Sequence, residues 1–523
     1  MAENRPVKLA RPAASDCERN HTSRLHWWRP LDERATIGPV TNPDRLSGLD
    51  ASFLALEKSG AHMHVGSVLV FDGDPPPYQD LLDQIESRLH LVPRYRQKLA
   101  FPPLAQARPV WVDDPHFNVA YHVRHTALPD PAGEDQLRRL AGRVFSQQLD
   151  RTKPLWEIWL VNRVGDDRFA LVCKTHHALV DGISGVDIMT VLFDLEPDPP
   201  EQEPGPPWYP RPQPSGSTLF AEALLERAAT PLGAARAAAG LAADPRDAAG
   251  QAARTLAGLA SMASAGMGGA PPSPLNTRIG PHRRFAWVES DLARFKAVKG
   301  ALGGTVNDVV LAVVTGALRA HLERRGVDPS GLELKAMVPV SVRAEDQRGA
   351  LGNQVAAMYA PLPVGLADPL ERFRAVHEAL GDLKSSAQAI GAERITQLAG
   401  FAVPTILNQA ARLQSRQRLF NLTVTNVPGP QFPLYMLGRK LAAFYPKVPL
   451  VLNTALGIAI MSYDGRVFFG LLGDFDAMAD LDDLAADLGA AIDELSTAAG
   501  VPVNGSQRGG RARKPSRRTK SRA

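Results

Sequence analysis

Apolar and polar residues alternate in patterns that predict a helix and then a strand near the start of the folded chain. Leu49, Phe53 and Leu56 recur on one helical face, and Ser47 stands ahead of them at capping-box spacing. The stretch "HVGSVLVFDG" (64–73) alternates and ends in turn residues, which is typical of a strand. We therefore expect a helix that leads directly into a strand.

The second half of the chain repeats this succession of strands separated by helical patterns. No short sequence repeat is visible, but strands recur through both halves. This organisation predicts an α/β fold built from two related halves. The strands expected in the second half cover 332–343, 353–364, 420–430, 454–465 and 466–475.

Two domains of ordinary size, with extensions, suit a chain of 523 residues. The prolines and charges of "EPDPPEQEPGPPWYPRPQPSG" (196–216) exclude regular packed structure and mark a crossover. The Ala-rich segment after it is typical of helices that pack on the protein body. The predicted division is a poorly ordered leader (1–44), a first half (45–197), the crossover and Ala-rich helices (198–276), a second half (277–498) and a disordered basic tail (499–523).

Charge is distributed unevenly between the body and the tail. Eight of the 59 Lys and Arg residues follow Gly500, so the rest of the chain holds 51 basic against 55 acidic residues. A basic tail attracts nucleic acid or anionic lipid, or is simply a solvated end. The lack of an apolar run near twenty residues, the two distant cysteines (Cys17 and Cys173) and the charged start predict a cytoplasmic protein.

Two adjacent histidines lie where a predicted strand gives way to a helix. The strand is "RFALVCKTH" (168–176), and "GISGVDIMTVLFDL" (182–195) has helical spacing. The sheet fixes the backbone at a strand end, and Gly182 permits a sharp turn. A neutral imidazole accepts a proton at physiological pH, so His176 or His177 is a candidate general base.

Other interpretations of the histidines stay open at this point. Neighbouring residues on a strand point to opposite faces, so at most one ring faces a cleft, and a purely structural role is the alternative for both. A metal site from His177 and Asp181 would need a third ligand, and none stands nearby. A serine nucleophile is disfavoured because no G-x-S-x-G elbow is present.

The segment "HHALVDG" (176–182) matches the H-H-x-x-x-D-G signature of coenzyme A-dependent acyltransferases of the chloramphenicol acetyltransferase and condensation type. Further blocks resemble one branch, the bacterial bifunctional wax ester synthase and acyl-CoA:diacylglycerol acyltransferases. The resemblance covers roughly residues 45 to 498. Its blocks are "LSGLDASFLALE", "MHVG", "KPLWEIWLV", "PLNTRIGPHRR", "GGTVNDVVLAVVTGALR", "MVPVSVR", "GNQV" and "TNVPGP".

The resemblance implies roles for the residues of this signature. His177 would be the general base that removes the hydroxyl proton of a diacylglycerol or long-chain alcohol as its oxygen attacks the acyl-CoA thioester. His176 would shape the site. Asp181 would hold the loop by an ion pair, and Gly182 would form the turn. The ester would form directly, without an acyl-enzyme.

From the same resemblance, we also expect roles for residues outside the signature. Asn307 and Asp308 would line the cleft from the second half, although without the family they are simply helix caps. Trp156, in the P-L-W block, would pack near the channel or in the core. Arg283 and Arg284 would bind the phosphates of coenzyme A, or are ordinary solvated charges.

The resemblance thus implies two chloramphenicol-acetyltransferase-like halves with mixed sheets and a tunnel between them. The expected function is O-acyl transfer from acyl-CoA to diacylglycerol and to long-chain alcohols, with no metal and no cofactor beyond the acyl-CoA substrate. We expect no nucleic-acid partner, and peripheral association with the inner membrane face or lipid inclusions. The alternatives are a carrier-protein-dependent enzyme of the same fold and a catalytically inactive lipid-binding protein.

Overall fold

Strands alternate with helices throughout the described part of the chain. The computed structural model describes residues 44–57, 60–105, 107–179, 191–200, 205–226, 269–341, 355–385 and 419–502, all within the unit formed by residues 41–523. The strands are β1 (His64–Asp72), β2 (Gln97–Ala100), β3 (Val110–Asp113), β4 (Val123–Thr126), β5 (Trp156–Val161), β6 (Arg168–His176), β7 (Arg283–Asp291), β8 (Leu334–Ser341), β9 (Val355–Leu362), β10 (Leu422–Pro428), β11 (Tyr435–Met436), β12 (Arg439–Lys447), β13 (Leu456–Tyr463) and β14 (Arg466–Asp474).

Helices cover the sheets and connect their strands. The helices are α1 (Gly48–Leu56), α2 (Tyr78–Arg88), α3 (Val119–His122), α4 (Glu134–Ser146), α5 (Leu292–Leu302), α6 (Val306–Arg324), α7 (Pro369–Ser385) and α8 (Leu481–Ala498), and residues 216–226 are also helical. Helix α6 is buried along most of its length and packs against α7 and α8. Its apolar residues therefore form a large share of the core of the second half.

The first large sheet has the strand order β11-β12-β1-β6-β5-β4. Strand β6 lies at its centre, antiparallel to β1 on one side and to β5 on the other, whereas β4 and β5 are parallel. From its second residue onward β6 is buried, which is why its sequence reads as a nearly continuous apolar run. The His64 and His176 ends of β1 and β6 lie directly opposite each other.

The second large sheet has the strand order β7-β14-β13-β10-β8-β9. Parallel pairing of β10 with β13 and β8 is combined with antiparallel pairing at β7, β14 and β9, so this sheet is also mixed. The two mixed sheets confirm the predicted α/β fold class.

Strand β12 ties the two halves together, although its residues come from the C-terminal half. It pairs with β1 in the first sheet and packs against β13 and β14 of the second. A Cβ atom on Gly470 would lie 1.8 Å from the carbonyl oxygen of Pro446, so only glycine allows β14 to approach β12 this closely. Helix α4 also joins the two halves, because it belongs to the first half and packs against β7 of the second sheet.

Most sequence-predicted elements within the described residues are confirmed. Ser47 caps α1 by accepting a hydrogen bond from the Asp50 amide, and the expected strands appear as β1, β6, β8, β9, β10, β13 and β14. The sequence did not predict that β12 joins the first sheet. Nearly all of the leader and of the tail, and most of the helix after the histidines and of the Ala-rich segment, lie outside the described residues. The domain boundaries stay a prediction.

Within the described ranges no single helix is both long and apolar enough to cross a membrane. Helices α5 and α6 taken together meet the length and composition required, but they are bent by 99° relative to each other.

Candidate active site

His177 is the first residue after β6, at the edge of the first sheet. Its backbone N–H donates a hydrogen bond to the Met63 carbonyl over 2.7 Å, which attaches it to the residue preceding β1. Its ring stacks on Phe53 of α1, with centroids 3.9 Å apart and planes 28° apart. Helix α1 and the two central strands thus position this imidazole together.

The His177 ring is uncharged at neutral pH because of where it lies. The residue as a whole is half-buried, but its Nδ1 atom is sealed from solvent and has no hydrogen-bond partner among the described residues. Burial lowers the pKa of His177 from 6.5 to about 4, and positive charge from Lys447 acts in the same direction. An uncharged imidazole has one ring nitrogen with a lone pair, as a general base requires.

His176 is fully buried, and both of its ring nitrogens face groups of the protein. Its Nδ1 accepts a hydrogen bond from the Ala178 amide over 3.0 Å, so a neutral ring carries its proton on Nε2. That Nε2 lies 3.4 Å from Oε2 of Glu57. His176 therefore stabilises the turn that follows β6, whereas Nδ1 of His177 has no such partner among the described residues.

The Glu57 carboxylate lies at the end of α1 and contacts both strands of the site. Its Oε1 lies 3.4 Å from Nε2 of His64 on β1, and its Oε2 lies 3.4 Å from Nε2 of His176 on β6. Arg151 donates to Oε2 from Nε over 3.0 Å and also from Nη2. Burial alone would raise the pKa of Glu57, but the contacts with His176, His64 and Arg151 outweigh it and hold that pKa well below 4.5.

The second half of the chain reaches this cluster through Lys447 at the end of β12. The Lys447 ammonium is buried and donates a hydrogen bond to the His64 carbonyl. Burial lowers the pKa of Lys447 well below its usual value, and the neighbouring charges of Arg283 and Lys174 add to this. Lys447 thus fixes β12 against β1 beside the candidate base.

Sequence reasoning missed Glu57 and His64. Glu57 ends the "LSGLDASFLALE" block and His64 begins an alternating strand, so both were visible as polar residues beside apolar patterns. Glu57 and His64 are recognised as parts of the site by their contact with each other. No local sequence pattern predicts that contact.

Asp308 makes its contacts as a helix-capping residue. Thr305 is the N-cap of α6, and its amide and hydroxyl both donate to the Asp308 carboxylate over 2.8 Å. The same carboxylate lies 2.7 Å from Nδ1 of His377 on α7. The side-chain oxygen Oδ1 of Asn307 accepts a hydrogen bond from the side-chain Nδ2 of Asn426 on β10 over 3.3 Å. These contacts fit the capping interpretation of Asp308, and a role for Asn307 in orienting substrate stays a prediction.

Trp156 is buried at the start of β5 and packs in the core of the first half. Its Nε1 donates to the Tyr95 carbonyl over 2.8 Å, and its ring stacks on His122 with centroids 4.6 Å apart. Thr175 lies opposite it on β6, one residue before His176. Trp156 therefore supports the strand that carries the site, as expected of a core residue.

Arg283 and Arg284 differ sharply in their surroundings. Arg283 is buried, and its guanidinium donates to the carbonyls of Gly280 and His282 over 2.7 Å and to that of Gly60. Burial lowers the pKa of Arg283 to about 10. Arg284 is half-buried and donates from Nε to the Phe475 carbonyl over 2.8 Å. The contacts of Arg283 join the segment before β1 to β7 and leave it few donors for a ligand.

Asp181 and Gly182, the last two residues of the motif, lie outside the described residues. Their predicted roles in the turn and in an ion pair stay predictions.

Two domain families match this chain along most of its length. The wax ester synthase/diacylglycerol acyltransferase catalytic domain matches residues 46–310, and the WS/DGAT C-terminal domain matches residues 351–496. The chain belongs to the wax ester synthase/diacylglycerol acyltransferase family. This confirms the resemblance recognised in the motif blocks, and the protein is an acyltransferase.

Individual relatives agree with this family in sequence and in fold. A Mycobacterium tuberculosis (strain CDC 1551 / Oshkosh) protein named as a diacylglycerol O-acyltransferase is 34% identical over 463 residues, covering 86% of this chain and 90% of that one. The wax ester synthase/diacylglycerol acyltransferase of Marinobacter aquaeolei VT8 is 28% identical with a TM-score of 0.61, covering 87% of this chain and 100% of that one.

A more distant structure shares the fold alone. The starter condensation domain of rhizomide synthetase RzmA matches with a TM-score of 0.51 and 15% sequence identity, covering 87% of this chain and 94% of that one. The fold of this wax ester synthase/diacylglycerol acyltransferase family member is therefore common to condensation domains, as the motif predicted.

Glu57→Gln tests whether the carboxylate positions the histidines. The variant keeps the shape of the side chain but removes the charge that faces His64, His176 and Arg151. We expect the free energy of unfolding in urea to fall by on the order of 3 kcal/mol. We also expect acyl transfer to slow by about 10²-fold, because a small displacement of a catalytic group costs that much.

The pH dependence and a matched variant complete this test. The depressed pKa of Glu57 means that its contribution to stability is present above pH 4.5 and is lost as the pH falls further, so the difference between wild type and variant should narrow below pH 4.5. Glu323→Gln, which removes an exposed carboxylate 2.8 Å from Arg319, should change stability by less than about 0.5 kcal/mol. A Glu57→Gln enzyme with wild-type rate and stability would contradict the positioning role.

Proposed function

We propose that the protein transfers a long-chain acyl group from acyl-CoA to the hydroxyl of diacylglycerol, and to long-chain alcohols, with His177 as the general base. The observation that carries this proposal is the uncharged His177 ring at the end of β6, held there by α1 and the Met63 carbonyl. The diacylglycerol acceptor is suggested by the names of the family and of its mycobacterial relative.

The proposed reaction is a single acyl transfer without an acyl-enzyme. A ring nitrogen of His177 removes the hydroxyl proton as the acceptor oxygen attacks the thioester carbonyl, and a tetrahedral intermediate forms. The carbon–sulfur bond then breaks, and the imidazolium returns the proton to the departing coenzyme A thiolate. The products are an ester and free coenzyme A, and the histidine ends as it began.

The low pKa of His177 suits the second of these proton transfers better than the first. An imidazolium with a pKa of about 4 is a strong acid towards a thiolate, whose conjugate thiol has a pKa of about 8.5. As a base it is weak, so the proton must move together with carbon–oxygen bond formation. Exclusion of water by the surrounding core would protect the thioester from hydrolysis during this step.

In this proposal acyl-CoA is a substrate and the enzyme needs no resident cofactor or metal. The predicted tunnel between the two halves belongs to the same proposal, with coenzyme A entering from one side and lipid from the other. The carrier-protein-dependent alternative is not favoured, because the family and the mycobacterial relative are both named for acyl transfer to diacylglycerol.

His177→Ala tests the proposed base. The variant should lower kcat for ester formation from labelled acyl-CoA and diacylglycerol by roughly 10²- to 10⁴-fold, the usual contribution of a positioned base. Purified protein and free acyl-CoA are used, so turnover by the wild type excludes both the carrier-dependent enzyme and the inactive lipid-binding protein.

A second histidine variant serves as the control for this experiment. His116→Ala removes an exposed ring after β3 and should leave kcat within about twofold. Circular dichroism confirms that both variants fold. Wild-type kcat in a folded His177→Ala protein would overturn the assignment of the base.

We propose further that the protein works at a lipid surface, as its water-insoluble acceptor requires. The support is the run of eight basic residues after Gly500, which has no acidic residue within it. Lys and Arg residues near an anionic membrane each contribute about 1 kcal/mol of attraction. The basic residues would therefore hold the enzyme beside its acceptor, in the membrane or in a lipid inclusion.

Removal of the residues after Val503 tests this docking role. Binding to anionic vesicles that contain diacylglycerol should fall at least tenfold, while kcat towards detergent-solubilised diacylglycerol should not change. A full-length variant with Gln at the eight basic positions is the matched control for chain length and should bind as weakly as the truncated protein. Undiminished vesicle binding by both proteins would contradict the proposal.

A further inference from the structure

An open cavity of about 570 Å³ lies between α4 of the first half and the beginning of β7. Its volume is within the range of pockets that bind small molecules. One face of α4 and the segment that begins β7 supply its walls, and Phe475 and the start of α8 close the side. Among the described residues, the lining contains five arginines and a histidine: Arg138, Arg139, Arg143, Arg283, Arg284 and His282.

Two of these arginines, Arg139 and Arg143, are one helical turn apart on α4. Both are exposed, and neither has an ion pair or a hydrogen bond with any described residue. Arg284 lies across the cavity with its guanidinium 4.1 Å from the centroid of the Phe475 ring. Its Nε is bound to the Phe475 carbonyl, so its terminal amino groups remain without a hydrogen bond in the described part of the chain.

The acidic residues of the cavity do not cancel this charge. Asp135 and Asp482 both pair with Arg138, at 3.9 Å and 3.7 Å, and the Arg138 guanidinium also lies 4.7 Å from the centroid of the Trp287 ring. Arg138 is shared between the two aspartates at one end of the cavity, and the described lining keeps a positive net charge because it holds five arginines against two aspartates. Arg139, Arg143 and Arg284 are left as positive charges that face open space.

The floor of the cavity connects directly to the candidate base. Arg283 forms part of this floor, where its backbone amide donates to the Ser146 hydroxyl over 2.8 Å and its guanidinium donates to the Gly60 carbonyl. Three residues after Gly60, the Met63 carbonyl accepts the hydrogen bond of His177. A ligand anchored among the arginines thus lies on the outer side of the segment that holds His177.

We propose that this cavity binds the phosphate groups of the nucleotide end of acyl-CoA. Guanidinium groups bind phosphates in bidentate geometry, and three of them around a concave site suit a ligand that carries several phosphates. The identity of the ligand rests on the proposed function, whereas the preference for a phosphorylated small molecule rests on the cavity itself. Arg139 and Arg143 are then binding residues that sequence reasoning did not select.

Adenosine 3′,5′-bisphosphate is the probe for this proposal, because it carries phosphates but no acyl group. The variant Arg139→Gln/Arg143→Gln should bind it at least tenfold more weakly than wild type in titration calorimetry. The control variant Arg163→Gln/Arg374→Gln removes two exposed arginines outside the cavity and should bind within twofold of wild type.

Acyl transfer provides a second readout. In the cavity variant KM for acyl-CoA should rise at least tenfold while kcat stays within about threefold of wild type. KM for an acyl-pantetheine thioester, which lacks the nucleotide, should not change. A merely structural effect of the substitutions would alter both thioesters alike.

The outcomes separate this inference from the proposed function. If wild type binds the bisphosphate in the predicted way but transfers no acyl group, the proposed function fails and the cavity assignment stands. No binding of the bisphosphate by wild type, or equal weakening in the cavity and control variants, would overturn the assignment. The assignment would also be overturned if the cavity variant bound anionic vesicles more weakly than wild type but bound the bisphosphate equally well. That result would favour a lipid headgroup as the ligand.

Discussion

The arrangement of the site depends on one buried carboxylate. Glu57 faces a histidine on each of two neighbouring strands, and the positive charge of Arg151 offsets the desolvation cost of burying the carboxylate. The contact aligns the ends of β1 and β6 and fixes the ring of His176. His177 follows immediately, outside the strand ladder, where burial keeps it uncharged. The histidine that contacts Glu57 and the histidine proposed as the base are thus adjacent in sequence but differ in their surroundings.

Residues of the second half complete the surroundings of this cluster. Strand β12 crosses from the C-terminal half into the first sheet and brings Lys447 to the His64 carbonyl. Its close contact with β14 at Gly470 requires a residue without a side chain. Arg283 forms a second connection, from β7 to Gly60, with the arginine-lined cavity on its outer side. The proposed base and the proposed ligand-binding cavity therefore both lie beside contacts that join the two halves.

Sequence patterns predicted those parts of the molecule that depend on local order. Strand β6 follows from its apolar run, the cap of α1 from Ser47, and the position of His177 at a strand end from the same run, because each is encoded within a few residues. Pairing of β12 with β1 joins residues far apart in the chain and leaves no local pattern. The contacts of Glu57 and the burial of Arg283 escaped prediction for the same reason, since side-chain partners are set by tertiary packing.

The pH dependence of kcat/KM for acyl transfer tests most directly whether an uncharged, half-buried His177 is the base. Burial lowers its pKa from 6.5 to about 4, so the active neutral form persists down to low pH. The rate constant should be flat from about pH 5.5 to 7.5 and decline with unit slope as the pH falls through about 4, while circular dichroism shows folded protein. A limb centred near pH 6.5 would contradict this environment for the base.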